Sequence, residues 1–202
     1  IAGHFDRYKR TRGWNTAINT RQFIRPDGDP DRHVPWPEEY RYPDITYERR
    51  MRFREGDLTF ELRHCRGETE DATGTWVPER KRLAPGARFI WALPNAGNPQ
   101  KVQRWAGEWA AGLREMSALG AELMLPGHGF PIFGADRIAA ALTDTADLLD
   151  SLEEQVLALM NMGASLDRVL HEVEAPADLV QKPYLRPVYD HAQFRSEEHT
   201  SE

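Results

Sequence analysis

The chain has 202 residues, a formal net charge of −6, and 40% hydrophobic residues including 6 Trp and 8 Phe, enough for one full domain and a smaller one with real cores. No run approaches eighteen apolar residues, which excludes a membrane-spanning helix, and a single cysteine excludes an intrachain disulfide. The second half is acidic and carries no basic stripe, which excludes a nucleic-acid footprint; no signal peptide is visible, and a soluble, cytoplasmic protein is the expectation, with the compartment itself left open.

Residues 1–23 read as the end of a helix or loop, broken at Gly13. Residues 24–48 form a loop punctuated by Pro26, Gly28, Pro30, Pro35 and Pro37. It is either a substrate wall or a surface excursion packed by Trp36, Tyr40 and Tyr42. The basic clusters Arg7/Lys9/Arg10/Arg12 and Arg49/Arg50/Arg52/Arg54 read as solvated faces. Strands are predicted over 46–53, 58–62, 75–78 and 88–93, with Leu58, Phe60 and Leu62 alternating onto one buried face.

A helix is predicted over 98–119, capped by Asn98, with Pro99 at its first position and Gly120 at its end. Its apolar stripe is Val102, Trp105, Trp109, Leu113, Met116 and Leu119. With strands on either side, at 88–93 and 121–125, this makes a βαβ-like unit. From Ala135 the pattern turns helical: Ile138, Leu142, Thr145, Leu148, Leu149, Leu152, Val156 and Leu159 form a stripe that Gly163 stops. Ser165 then caps a short helix bearing Leu166, Val169 and Leu170, and a Pro-rich stretch follows. Such helices bury their stripes on the rest of the chain or on a partner subunit.

Two motifs carry the chemistry. His64-Cys65-Arg66-Gly67-Glu68-Thr69 and Pro126-Gly127-His128-Gly129 each follow a short apolar run. A glycine beside the functional side chain lets the backbone turn and leaves a ligand at a strand's end. Glu68 and His128 offer an oxygen and an imidazole nitrogen, donors suited to zinc. Cys65 is a soft ligand or, by alternation, a strand-end buried thiol. Asn95, Asn98, Lys101 and Arg104 cluster where a loop enters a helix, an arrangement that favours anions such as sulfate; alternatively Lys101 and Arg104 solvate an exposed helical face. Glu70 and Asp71 are a substitute acid or a solvated turn, and His4, His33, His171 and His191 lack ligand spacing.

The Gly67-Glu68-Thr69 and Pro126–Gly129 motifs, with the run from Phe89 to Arg104, resemble the metallo-β-lactamase-fold hydrolases. They are most similar to the alkyl sulfatase branch, which carries a helical dimerisation segment and uses a carboxylate where Glu68 stands. The resemblance runs from about residue 1 to 194. It implies an α/β fold: the C-terminal half of an αββα sandwich over residues 1–134, followed by an all-α dimerisation-type segment over 135–194. It implies two zinc ions with Glu68 and His128 among their ligands, and His64 and Thr69 orienting them by hydrogen bonds. It implies cleavage of a small-molecule ester, foremost an alkyl sulfate, by metal-bound hydroxide, in a homodimer paired through the C-terminal helices.

In this sequence the family's His-x-His-x-Asp-His motif does not occur, and the resemblance places it upstream of Ile1, so the fragment itself is expected to be inactive. Ala87 stands where relatives carry an acid that bridges two metals. Two alternatives stay open: the same fold acting on a lactone, thioester or phosphoester, or a non-catalytic dimerising scaffold. Residues 195–202 are polar and aperiodic and match a reading frame of a sequencing adapter. They are set aside as an artefact, a disordered acidic tail being the other reading.

Overall fold

The computed structural model describes residues 41–97 and 104–188. The chain divides into two compact units, 1–47 and 48–202. Of the first, only 41–47 are described, with Arg41 paired to Asp44 at 3.1 Å. The readings of residues 1–40, including His4 and His33, fall outside the described residues, as do those of His191 and the 195–202 tail.

The second unit is built on one six-stranded sheet of spatial order β1-β2-β3-β4-β5-β6. The strands are β1 (Arg50–Glu55), β2 (Leu58–His64), β3 (Thr73–Val77), β4 (Arg82–Ile90), β5 (Leu123–His128) and β6 (Ile132–Phe133). All neighbours are antiparallel except β4 and β5. That parallel pair needs a crossover, and α1 (Ala106–Ser117) supplies it, forming the expected βαβ unit. α2 (Ala135–Asn161), α3 (Leu166–Glu172) and α4 (Ala177–Val180) follow.

The sheet is covered by helices on one face. Trp76, Leu83, Phe89, Met124 and Ile132 join Trp109, Leu113 and Met116 of α1 and Ile138, Leu142 and Leu149 of α2 in one core. The indole of Trp109 donates to the Arg88 carbonyl at 2.8 Å, tying α1 to β4. The alternation expected in β2 is present, but the helices cover the opposite face. Thr59 is buried, whereas Leu58, Phe60 and Leu62 are half-buried beside their partners Glu55, Phe53 and Met51. Phe53 and Phe60 stack across the strands at 5.1 Å. With Leu125 and Phe133, more than two-fifths exposed, they give the sheet a second apolar face, as a sheet in an αββα sandwich requires.

Three boundaries differ from expectation. β4 begins at Arg82, six residues before the expected start at 88, and Pro85 and Gly86 lie within an irregular stretch of its ladder with β5. β1 starts at Arg50, after the loop, and Arg49, Arg50, Arg52 and Arg54 are exposed as expected. α1 starts at Ala106, with Arg104 and Trp105 outside the helix and no side-chain cap; Asn98 and Pro99 fall outside the described residues.

α2 belongs to two cores. Its first half packs on the sheet; Leu148, Leu152, Val156 and Leu159 pack on Val169, Val173, Leu179 and Leu185 of the chain's own C-terminal segment. Gly163, at φ +72°, ends it, and Ser165 Oγ caps α3 by accepting from the Arg168 amide at 3.3 Å. Among the described residues no helix is long and apolar enough to cross a membrane.

A short 3₁₀ turn, Pro78–Arg80, is tethered to β2 by Glu79, whose carboxylate accepts from the Thr59 amide at 3.0 Å. The hydrogen bonds from Thr59 hold this carboxyl at about 2, below its ordinary 4.5. A depressed carboxyl contributes stability that is full above 4.5 and is lost as pH falls toward about 2. In urea titrations, Glu79→Gln is expected to flatten the fall in stability between those two pH values; an acid limb as steep as the parent's would contradict it.

Candidate functional site

The first motif begins where β2 ends. The His64 ring places Nε2 at 2.8 Å from the Glu70 carbonyl, and since a carbonyl only accepts, Nε2 carries the proton. The Cys65 amide donates to Ala72 and the Gly67 amide to the Thr69 carbonyl, both at 3.1 Å, so the turn carrying Glu68 closes on itself. Gly67 lies flat on Trp109: a Cβ there would sit 3.3 Å from the indole. The loop is clamped between its own hydrogen bonds and α1.

Glu68 meets Arg104, its Oε1 3.3 Å from a guanidinium nitrogen. Arg104 is 3% exposed and also donates to the Asn95 carbonyl. The structure therefore collects Glu68, Asn95 and Arg104 at one point, and Arg104 is buried, not on the exposed helical face that was its alternative reading. Asn95 is itself buried, and its Oδ1 has no hydrogen-bond partner among the described residues. Asn98 and Lys101 lie outside the described residues.

His128 is the last residue of β5, opposite Ile90 of β4, and its side chain is exposed. The Pro126–Gly129 motif is a continuation of the strand, held by two close approaches. A Cβ at Gly127 would lie 2.7–2.8 Å from the Gly86–Ala87 backbone. One at Gly129, whose φ is +98°, would collide with the Trp91 indole. That indole donates through Nε1 to the Phe130 carbonyl at 2.7 Å. Ala87, the position of the missing acid, thus borders the backbone that precedes His128.

Cys65 behaves as the strand-end thiol. Its Sγ donates to the Arg66 and Glu108 carbonyls at 3.2 and 3.1 Å, and burial pushes its pKa up despite the neighbouring Arg88 guanidinium. Arg88, 2% exposed, and Trp91 are the residues sequence reasoning missed as site supports. Arg88 lay inside a run that read as strand, and only its burial marks it. A cleft of about 1070 Å³ opens beside β1, β2 and α1, and of the candidate residues His64 and Cys65 line it, whereas Glu68 and His128 do not.

Glu68 and His128 fit zinc in kind, a carboxylate oxygen and an imidazole nitrogen at loop ends. They fall short in number: among the described residues no group of three or more His, Cys, Asp or Glu side chains is placed to hold a metal ion.

No family model matches the chain. Over 135 residues, 65% of the chain, it is 33% identical to a linear primary-alkylsulfatase of Pseudomonas sp.. Over 120 residues, 56% of the chain, it is 30% identical to an (R)-specific secondary-alkylsulfatase of Pseudomonas sp.. These matches cover 26% and 18% of the two relatives' own lengths. The structure superposes on the stereoselective inverting sec-alkylsulfatase Pisa1 from Pseudomonas sp. with a TM-score of 0.70 at 24% identity, over 78% of this chain and 26% of that one. A metallo-beta-lactamase family protein from Thermus thermophilus gives 0.52 at 15% identity, over 96% of this chain and 60% of that one.

The chain has the metallo-β-lactamase fold. Within it the sequence is alkylsulfatase-like, and the relatives of that name are hydrolases.

Removing Arg104 strands Glu68 and the Asn95 carbonyl together. Arg104→Met is expected to cost about 2 kcal/mol or more in urea unfolding, as for a charge pair broken on one side. Both contacts fall on one terminal nitrogen, Nη1, which a single ammonium can replace, so Arg104→Lys should recover part of the loss. Wild-type stability in Arg104→Met would contradict the assigned contacts.

Proposed function

We propose that the whole protein hydrolyses an alkyl sulfate ester at a zinc centre to which this chain contributes Glu68 and His128. Glu68 carries the reading: it is a carboxylate, as the resemblance to alkyl sulfatases requires, and buried Arg104 aims it. Bound zinc would supply the Lewis acidity that ionises a water near neutral pH and offsets charge developing on the ester. The chain's own residues do the rest. Arg104 fixes the Glu68 carboxylate. His64 and Thr69 hold the loop that presents it, through the Glu70 carbonyl and the Gly67 amide. Asn95 is the candidate anion contact through its amide Nδ2 hydrogens, joined in the proposal by Asn98 and Lys101; its Oδ1 is an acceptor and takes no part in holding an anion. Two zinc ions are proposed.

Ala87 supports a second reading. A methyl group beside the Gly127 backbone cannot bridge two metals, and a centre without that carboxylate would be reduced to one ion or to a dimerising scaffold. Sulfate release from a medium-chain alkyl sulfate separates the readings. Turnover that Glu68→Gln and His128→Ala each lower at least about a hundredfold supports the hydrolase, because ligand loss exceeds the 10–100-fold effect of a ligand's supporting contacts. No turnover before or after Ala87→Glu supports the scaffold.

Pairing through the helical segment belongs to the same proposal, with a changed surface. Leu148 and Leu152 are buried inside the chain and are not available to a partner. Leu157, Met160, Met162 and Leu166 form the exposed apolar set around the end of α2 and the start of α3. Leu157→Asp with Met160→Asp is expected to shift sedimentation from dimer to monomer without loss of helix, whereas Leu148→Asp should unfold the segment. A parent that sediments as a monomer would contradict pairing.

A further inference from the structure

His128 is exposed at the end of a strand, and two glycines flank it, so nothing in its own loop fixes where the imidazole points. What fixes the loop comes from elsewhere. Gly129 adopts φ +98° with its α-carbon against the indole of Trp91, and a Cβ would come within 1.9 Å of that ring. One residue on, the Phe130 carbonyl accepts the Trp91 Nε1–H at 2.7 Å. The indole therefore holds the backbone immediately after His128 by both its Cδ1 and its N–H.

Trp91 is in turn wedged. It meets Phe89 edge-on, with centroids 6.5 Å apart, and Tyr184 edge-on at 6.3 Å; Phe89 and Tyr184 lie 6.3 Å apart, closing an aromatic triad. Tyr184 comes from the segment after α4. Its hydroxyl donates to Asp144 of α2 at 2.5 Å, and Lys182 pairs with the same carboxylate at 2.6 Å. The Leu93 amide donates to the Arg186 carbonyl at 3.0 Å, so the segment also grips the chain just past Trp91. Burial and the Asp144 carboxylate push the Tyr184 phenol well above its ordinary pKa, which keeps it a donor.

We infer that Trp91 and Tyr184 are positioning residues for the His128 loop, through which the C-terminal segment sets the geometry of the proposed metal site. The inference rests on the reading of His128 as a ligand for its consequence at the metal, but not for the positioning itself. The helical segment is then more than a candidate pairing device: it buttresses the end of β5 from within the same chain.

Two variants of the 202-residue chain test this by nuclear magnetic resonance. Trp91→Phe removes the N–H donor and keeps a ring; Tyr184→Phe removes only the bond to Asp144. In the parent, Gly127, Gly129 and Phe130 should show order parameters near those of rigid backbone, about 0.85, falling below about 0.6 in Trp91→Phe and part-way in Tyr184→Phe, with helix content unchanged. Zinc alone is then titrated while the His128 ring resonances are followed. The midpoint should rise about tenfold in Trp91→Phe, the scale on which supporting contacts act. Unchanged order parameters in both variants would overturn the positioning role, whatever zinc does. A loosened loop with a parent His128 ring that never responds to zinc would uphold the positioning and overturn the metal reading of His128. Should Trp91→Phe lose its fold, Tyr184→Phe alone decides the positioning role.

Discussion

The site depends on how one buried cation is neutralised. A guanidinium removed from water is costly unless acceptors offset it, and Nη1 of Arg104 meets two, the Glu68 carboxylate and the Asn95 carbonyl. Those acceptors lie in two loops, one after β2 and one after β4, and Arg104 itself lies on the approach to α1. A single side chain thus joins the loop after β2 to the stretch between β4 and α1, some tens of residues further along the chain. It also accounts for the late start of α1, because a residue committed to two loops stays in the extended approach to the helix. The carboxylate best suited to a metal is aimed by the contact that offsets the charge.

A second constraint is the parallel pairing of β4 with β5. Gly127 passes so close to Gly86 and Ala87 that no side chain fits between, and this brings His128 to the end of its strand beside the position where relatives carry an acid. The Trp91–Phe89–Tyr184 cluster then secures the backbone beyond His128. The two candidate ligands are held by independent means: an ion pair on one side, a close-packed indole on the other. The chain thus holds each of its two candidate donors by contacts of its own.

Much of the architecture was legible because its signals were local. The stripe of α2, the Gly163 stop and the Ser165 cap follow from 3.6-residue periodicity and cap chemistry, and the structure reproduces them. The βαβ unit was legible from two apolar runs around a periodic helix. The buried face of β2 was not. Leu58, Phe60 and Leu62 alternate correctly, but alternation does not tell which face is covered, and Thr59, bonded to Glu79 of the 3₁₀ turn, is the buried residue. The start of β4 was hidden because Pro85 and Gly86 interrupt the apolar run, and their place in the strand rests on a ladder with a neighbour far away in sequence. At the site, Glu68 and His128 stood out as glycine-flanked donors. Arg104 was seen but its burial was not, Arg88 carried no motif, and Trp91 lay in the Phe89–Arg104 run without a role of its own: their roles lie in contacts 20 to 40 residues away in sequence.

The measurement that reaches this junction most directly is a double-mutant cycle on the stability of the chain, with Glu68→Gln, Arg104→Met and both together. Residues in contact couple by about 0.5–3 kcal/mol, whereas separated ones add. A coupling of about 1 kcal/mol or more is expected, with the double variant more stable than the sum of the single losses implies. Strictly additive losses would mean that Arg104 does not hold Glu68, and the ion pair would no longer explain how the carboxylate is aimed.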